Sequence, residues 1–204
     1  LCDWSSDVCS SDLDGTLDLI RKYETKISRI ISEKDNGVYD AINKGIRIAS
    51  GDLIGILHAD DRFAHRDVLA QIADTFQKNP EKDCLFGDVG FVRTGEPDKI
   101  VRYYSSSIFH PGRFKIGIMP AHPTFYCYKK YFEQYGLYRT DLDISADFDL
   151  LLRFIYKHQL RYIYLPQIMV MMNLGGKSTS GISSTIRINK QNRKILREHG
   201  ISSS

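Results

Sequence analysis

Apolar residues recur at Val38, Ala41, Ile42, Gly45, Ile46 and Ala49, the i, i+3, i+4, i+7 spacing of one helix face. That stripe predicts a buried amphipathic helix, with Gly51 placed to end it. Residues 52–58 follow as a nearly continuous apolar run, the pattern of a strand covered on both faces. A second stripe, Val68, Leu69, Ile72, Ala73 and Phe76, predicts a helix closing near Pro80. Strands are predicted at 84–92, 99–104, 123–128, 160–165 and 168–173. Short helices are predicted at 129–135 and around Phe148, Leu151, Leu152 and Ile155. A basic helix runs from about Ser184 to His199. Before all of these, Leu17, Ile20, Tyr23 and Ile27 fit a helix face, and Ile27, Ile30 and Ile31 fall in or beside a short strand. Helices and strands alternate in the first half, which predicts an α/β fold whose sheet is parallel there.

Composition narrows the class without naming it. The 204 residues are 42% apolar and 26% charged, ordinary for a globular chain that buries a full core. A net charge of +3 is too small to argue for nucleic acid and is compatible with anionic substrates or lipids. No apolar run reaches the ~18 residues of a membrane span. Cys2, Cys9, Cys84 and Cys127 lack metal-site spacing, so a reduced, cytoplasmic setting is expected. The Ser/Asp-rich start has no period and resembles translated sequencing-adapter sequence. Residues 1–13 are therefore expected to be a foreign, disordered leader to a single domain at 14–200.

Candidate chemistry begins at Asp60 and Asp61, where the predicted strand stops. Paired carboxylates at a strand's carboxyl end are costly unless a cation sits with them, most often a divalent metal carrying phosphate. Capping of the next helix is the competing explanation, and spacing alone does not decide. The turn Glu33-Lys34-Asp35-Asn36-Gly37 joins a strand to a helix and sets Asp35 over the sheet's carboxyl edge, or is turn chemistry only. Asp40, Asn43 and Lys44 lie on the polar side of the following helix, expected to be solvated. Asp147 opens a helix and either caps it or serves as a general base. Asp149 and Arg153 are spaced to pair on that helix's surface. His122 is expected to be structural. Gly175-Gly176-Lys177-Ser178 could approach a phosphate but lacks P-loop spacing. Arg187, Lys190, Lys194 and Arg197 share a face of the final helix, either solvated or set against a membrane surface.

Taken in order, these pieces resemble a family 2 glycosyltransferase of the GT-A fold, of the bacterial exopolysaccharide, capsule or O-antigen type. Residues 33–61 are similar to the family's E-K-D-x-G-x-Y-D-A-x-N-K-G helix and its G-D-x-x-x-x-L-x-A-D-D strand. Ala121 to Tyr126, Tyr135 to Tyr138, Ile144 to Phe154 and Asn173 to Ser178 look like its later motifs. The resemblance implies a mixed α/β sheet flanked by helices and inverting transfer of a sugar from a nucleotide-diphospho-sugar to an acceptor hydroxyl. The acceptor would be a saccharide or lipid-linked saccharide, with contact at the inner membrane face through the basic helix. It implies that Asp60 and Asp61 hold Mg²⁺ or Mn²⁺, that Asp60 also meets the donor diphosphate, and that Asp147 is the catalytic base. Glu33, Asp35 and Lys44 would line the nucleotide pocket. His58 stands where the family often carries the first acid of its metal motif.

Against the family pattern, only Asp14-Gly15-Thr16 remains of its opening. The first strand, helix and second strand are absent, so weak donor binding and impaired turnover are expected. Two rival readings stand beside this one. Asp12-Leu13-Asp14-Gly15-Thr16-Leu17 mimics the phosphatase motif of the haloacid-dehalogenase type, but no buried apolar strand precedes Asp12. A non-catalytic sugar-binding module is the other, and retention of Asp60, Asp61 and Asp147 argues against it.

Overall fold

The structure, a computed structural model, describes residues 7–9, 16–174 and 182–202. Asp12, Asp14, Gly15 and the Gly175–Ser178 loop lie outside the described residues.

The chain runs β1 (Asp7–Cys9), α1 (Thr16–Arg21), β2 (Arg29–Ile31), α2 (Val38–Ile48), β3 (Leu53–Gly55), β4 (Arg62–Phe63), α3 (Val68–Lys78), β5 (Cys84–Arg93) and β6 (Glu96–Tyr104). It continues through β7 (Tyr126–Tyr128), α4 (Lys129–Tyr135), α5 (Ala146–Leu151), β8 (Tyr162–Asn173) and α6 (Ile182–Glu198). The main sheet has the order β3-β7-β5-β8-β4, with β6 beside the far half of β5. It is mixed: β5 and β8 are parallel and every other pair is antiparallel. The expectation of a parallel first half is met only by β1 and β2, which form a separate two-stranded parallel sheet. β3 instead takes β7, far along the chain, as its antiparallel neighbour. Asp7–Cys9 thus form an element within the segment expected to be disordered.

Alternation along β5 divides the core. Cys84 and Phe86 face one layer, whereas Leu85 and Val89 face the other. On the second face lie Val68, Ile72 and Phe76 of α3, each side chain contributing about 1.5–3 kcal/mol by burial. On the first lie Phe148, Leu150 and Leu151 of α5, with Ile195 and Leu196 of α6. Helices therefore cover both faces of a mixed sheet. α5 runs on into a six-residue π-helix, Leu152–Lys157, a form often found at functional sites.

Several predicted boundaries move for physical reasons. The strand expected at 52–58 is shorter, Leu53–Gly55, and the chain turns beyond it where the Asp61 N–H donates to the His58 carbonyl at 3.0 Å. The two strands expected at 160–173 are one, with a register shift opposite Gly87 that takes up Pro166. A Cβ at Gly87 would lie 2.4 Å from Met169 Sδ and 3.0 Å from the Gln167 carbonyl, so a larger residue there would force Met169 to shift. The strand expected from 123 starts at Tyr126 after a 3₁₀ turn at His122–Thr124. The first helix stops at Arg21, and a 3₁₀ turn at Glu24–Lys26 precedes β2. α2 ends at Ile48, before Gly51, and Val38 of its stripe is 52% exposed.

Candidate active site

α2 is the centre of the site because two adjacent i, i+4 pairs on it face different partners. Asp40 and Lys44 turn toward the 33–37 loop. Lys44 Nζ lies 2.7 Å from Glu33 Oε1, 2.8 Å from Asp35 Oδ1 and 3.7 Å from Asp40 Oδ2. Hydrogen bonds to Asp35 and Glu33 raise the Lys44 pKa. The loop is closed by the Asn36 N–H, which donates to Asp40 Oδ2 at 3.0 Å, and by Gly37 at φ 113°, a value that favours glycine. Glu33, Asp35 and Lys44 are thus brought together at one end of α2.

The other pair, Tyr39 and Asn43, faces the core. Asn43 is buried, which corrects the expectation of a solvated face. Its Nδ2 donates to the Tyr138 carbonyl at 2.8 Å, and its Oδ1 accepts the Tyr138 N–H at 2.9 Å. The Tyr138 ring stacks on Tyr39, centroids 5.8 Å apart. The Tyr138 hydroxyl meets His122 Nε2 at 2.8 Å. His122 is buried, and desolvation together with nearby His58 pushes its pKa down to about 3, so the imidazole is neutral. The His58 and His122 rings stand 6.1 Å apart. A continuous wall, Tyr39–Tyr138–His122–His58, therefore leads from the start of α5 to the residues just before Asp60.

Asp60 is exposed and Asp61 half-buried in the turn between β3 and β4. The Asn173 amide of β8 fixes the turn by donating to the Asp60 carbonyl at 3.0 Å. α3 begins beyond β4 with Asp67 at its N-cap, so Asp61 does not cap it. Asp61 Oδ2 is buried with no hydrogen-bond partner among the described residues. Burial, and then the charge of Asp60, raise its pKa to about 6. An orphaned carboxylate oxygen beside a second carboxylate suits a divalent cation, which accepts oxygen ligands and needs only one or two carboxylates plus substrate oxygens. Among the described residues no group of three or more His, Cys, Asp or Glu converges as a closed cage.

Asp147 is half-buried in the first turn of α5. Its Oδ1 accepts the Phe148 N–H at 2.8 Å, and no cation pairs with it among the described residues. The N-cap position itself is taken by Ser145. Burial raises the Asp147 pKa to about 6. The Tyr39 hydroxyl donates to the Ile144 carbonyl and lies against the N–H groups of Ala146 and Asp147. Burial, and then the charge of Asp147, raise the pKa of Tyr39 and Tyr138. A carboxyl poised near neutrality, without a counter-ion, can take a proton near pH 7.

Asp149, two residues on, is fully buried and not on the helix surface as expected. Arg153 Nε donates to it at 2.8 Å and His199 Nε2 meets it at 2.8 Å. Tyr39, Asn43 and Tyr138 were missed as site residues. The i, i+4 spacing of Tyr39 and Asn43 marks one face of α2, but their partner lies 95 residues beyond Asn43.

The family model for Glycosyl transferase family 2 matches residues 9–136, more than half of the chain. It ends before Asp147. A PGL/p-HBAD biosynthesis glycosyltransferase of Mycobacterium bovis is 27% identical over 176 residues, 85% of this chain. The chain spans 64% of that relative's length. Among solved structures, S. aureus TarS in complex with UDP superposes with a TM-score of 0.69 at 13% identity, over 95% of this chain and 56% of TarS. The mannosyltransferase PcManGT from Pyrobaculum calidifontis, in complex with GDP-Man and Mn²⁺, gives 0.63 at 15% identity, over 96% and 54%. These likenesses establish the fold: a mixed sheet flanked by helices, the GT-A arrangement.

Proposed function

The chain belongs to glycosyl transferase family 2, and from that premise we propose that it moves a sugar from a nucleotide-diphospho-sugar to an acceptor hydroxyl with inversion of configuration. The observation that carries this reading is the wall from His58 to Tyr39, which joins the Asp60–Asp61 turn to the unpaired Asp147. Asp147 takes the proton of the acceptor hydroxyl as that oxygen attacks the anomeric carbon. The proton ends on the carboxylate, and the nucleoside diphosphate leaves with the bonding pair of the broken C–O bond. Inversion follows because attack and departure are in line. Asp60 and Asp61 would hold a divalent cation, Mg²⁺ or Mn²⁺, which would supply positive charge against that of the departing diphosphate. Glu33 and Asp35, set in place by Lys44, line the nucleotide end of the site. His122 and Tyr138 keep the wall uncharged and fixed.

The donor classes follow the relatives, which include proteins solved with UDP and with GDP-Man. The acceptor is a saccharide or lipid-linked saccharide of cell-surface polysaccharide. Peripheral contact at the cytoplasmic membrane face is assigned to the outer side of α6. There Lys190, Arg193 and Arg197 are exposed and have no ion-pair partner among the described residues. No described helix is long and apolar enough to cross a membrane. The test is nucleoside diphosphate release from UDP- and GDP-sugars, with Mn²⁺ or Mg²⁺ and a panel of p-nitrophenyl glycosides as acceptors. Transfer that disappears in Asp147→Asn while donor binding persists supports the reading; transfer that survives removes Asp147 from it.

A further inference from the structure

Helix α6 and the residue after it, His199, grip the chain on both sides of Asp147. Ahead of it, Gln191 of α6 uses both ends of its amide. Its Oε1 accepts the Ser145 N–H at 2.9 Å and its Nε2 donates to Asp143 Oδ1 at 2.8 Å. Arg187, one turn earlier on α6, pairs with the same Asp143 carboxylate. Behind Asp147, His199 meets Asp149 Oδ1 at 2.8 Å, and Glu198 holds Arg139 at 2.5 Å. Arg139 in turn reaches Asp149 at 3.7 Å. Ser145 occupies the N-cap of α5 but makes no cap bond, and its Oγ is buried without a partner among the described residues. The backbone that opens α5 is therefore set by Gln191 and by the Tyr39 bond to Ile144, not by its own side chain.

We propose that α6 is the positioning element of Asp147, and that Gln191 is the residue through which it acts. The inference rests on Asp147 being the base of sugar transfer. Physically, a neutral amide fits this place because it must give a hydrogen bond to one residue and take one from another two positions on. A carboxylate could only take, and a hydrocarbon could do neither. Among the described residues no charge from α6 faces Asp147 itself: Arg187 pairs with Asp143 and Glu198 with Arg139, while His199, just past the helix, meets Asp149. The groups that do face it, Tyr39 from α2 and Tyr138 after α4, are uncharged hydroxyls. Losing the grip at Ser145 would let the first turn of α5 fray and admit water to Asp147, without placing any new charge beside it.

Gln191→Ala, Gln191→Glu and the double variant Asp143→Asn/Gln191→Glu form the test. Gln191→Ala should lower kcat on the order of tenfold to a hundredfold, as a misplaced reacting group does, with the donor KM within about twofold. The acid limb of the rate profile, set near the Asp147 pKa of about 6, should move toward the ordinary carboxylate range as water enters. In the double variant the amide and the carboxylate trade places. The new amide on the α5 side donates to the new carboxylate on α6, which still accepts the Ser145 N–H, so most of the rate lost in Gln191→Glu should return. Asp147 titration is also read directly by carbon-13 NMR of aspartate-labelled protein, the signal identified by its loss in Asp147→Asn. If no donor is turned over, the base assignment fails, and the NMR titration still decides whether α6 holds that carboxyl. A titration unmoved in Gln191→Ala overturns the inference, as does a double variant no faster than Gln191→Glu.

Discussion

Helix α5 places two aspartates on opposite sides, and they differ in everything but chemistry. On the core side Asp149 is fully buried, yet Arg153 holds it, with His199 and Arg139 at its other oxygen. On the other side Asp147 keeps some exposure, has no cationic partner among the described residues, and is pushed up to about 6 by burial. What separates them is whether the fold has already spent the charge. A saturated ion cluster leaves nothing for a substrate proton, whereas an unpaired carboxyl held from water keeps its basicity.

The widest way to sharpen that contrast is in rate. Asp147→Asn should cut transfer by about 10²–10⁴-fold while thermal unfolding shows an intact fold. In the wild type, transfer should rise as pH passes through about 6, where Asp147 ionises. Asp149→Ala should do the reverse. It takes the buried carboxylate from half-buried Arg153 and His199 and should cost about 3–5 kcal/mol in denaturant unfolding. Equal unfolding midpoints for the two variants would erase the distinction. Asp61→Ala, next in size, should weaken Mn²⁺-dependent donor binding by about 10–100-fold in calorimetry. For wild type that binding should be poorer at pH 5 than at pH 7, since Asp61 must release a proton to take the cation. Asn43→Ala should cost about 2 kcal/mol, because both backbone groups of Tyr138 lose their partner. The smallest effect is on stability against pH. A carboxyl raised in the folded state holds its proton longer there than when unfolded. Asp147 therefore subtracts stability as pH rises from about 4 to 6, and Asp147→Asn should stabilise by about 1–2 kcal/mol at pH 7. A midpoint for Asp147→Asn below that of wild type at pH 7 would contradict this.

The sequence carried much of the layout, but not the relations between its parts. The stripes of α2 and α3 are local, so periodicity found both helices. The Asp60–Asp61 pair stands out because two adjacent charges end an apolar run. The partners of β3 and of Asn43 depend instead on closure of the sheet, in which residues some 70 or more positions apart become neighbours. Asn43 reads as polar surface because its amide suits water equally well; only the free backbone groups of Tyr138 make burial favourable. Asp149 and Arg153 were paired correctly from their spacing. Their depth follows from α6 closing over them, which no i, i+4 rule contains. Asp147 could be read as cap or base, and its missing counter-ion is visible only in three dimensions.

Cys84 and Cys127 face each other in register where β5 meets β7, both buried, with pKa values raised by desolvation. In the closed sheet neither thiol can meet an alkylating reagent or ionise to attack one. Their modification, followed peptide by peptide in a mass spectrometer, would therefore count the moments when the sheet centre opens. The molecule carries a built-in gauge of its own breathing, one that needs no added dye or tag. Asp149→Ala should quicken that labelling, and Asp147→Asn should leave it slow.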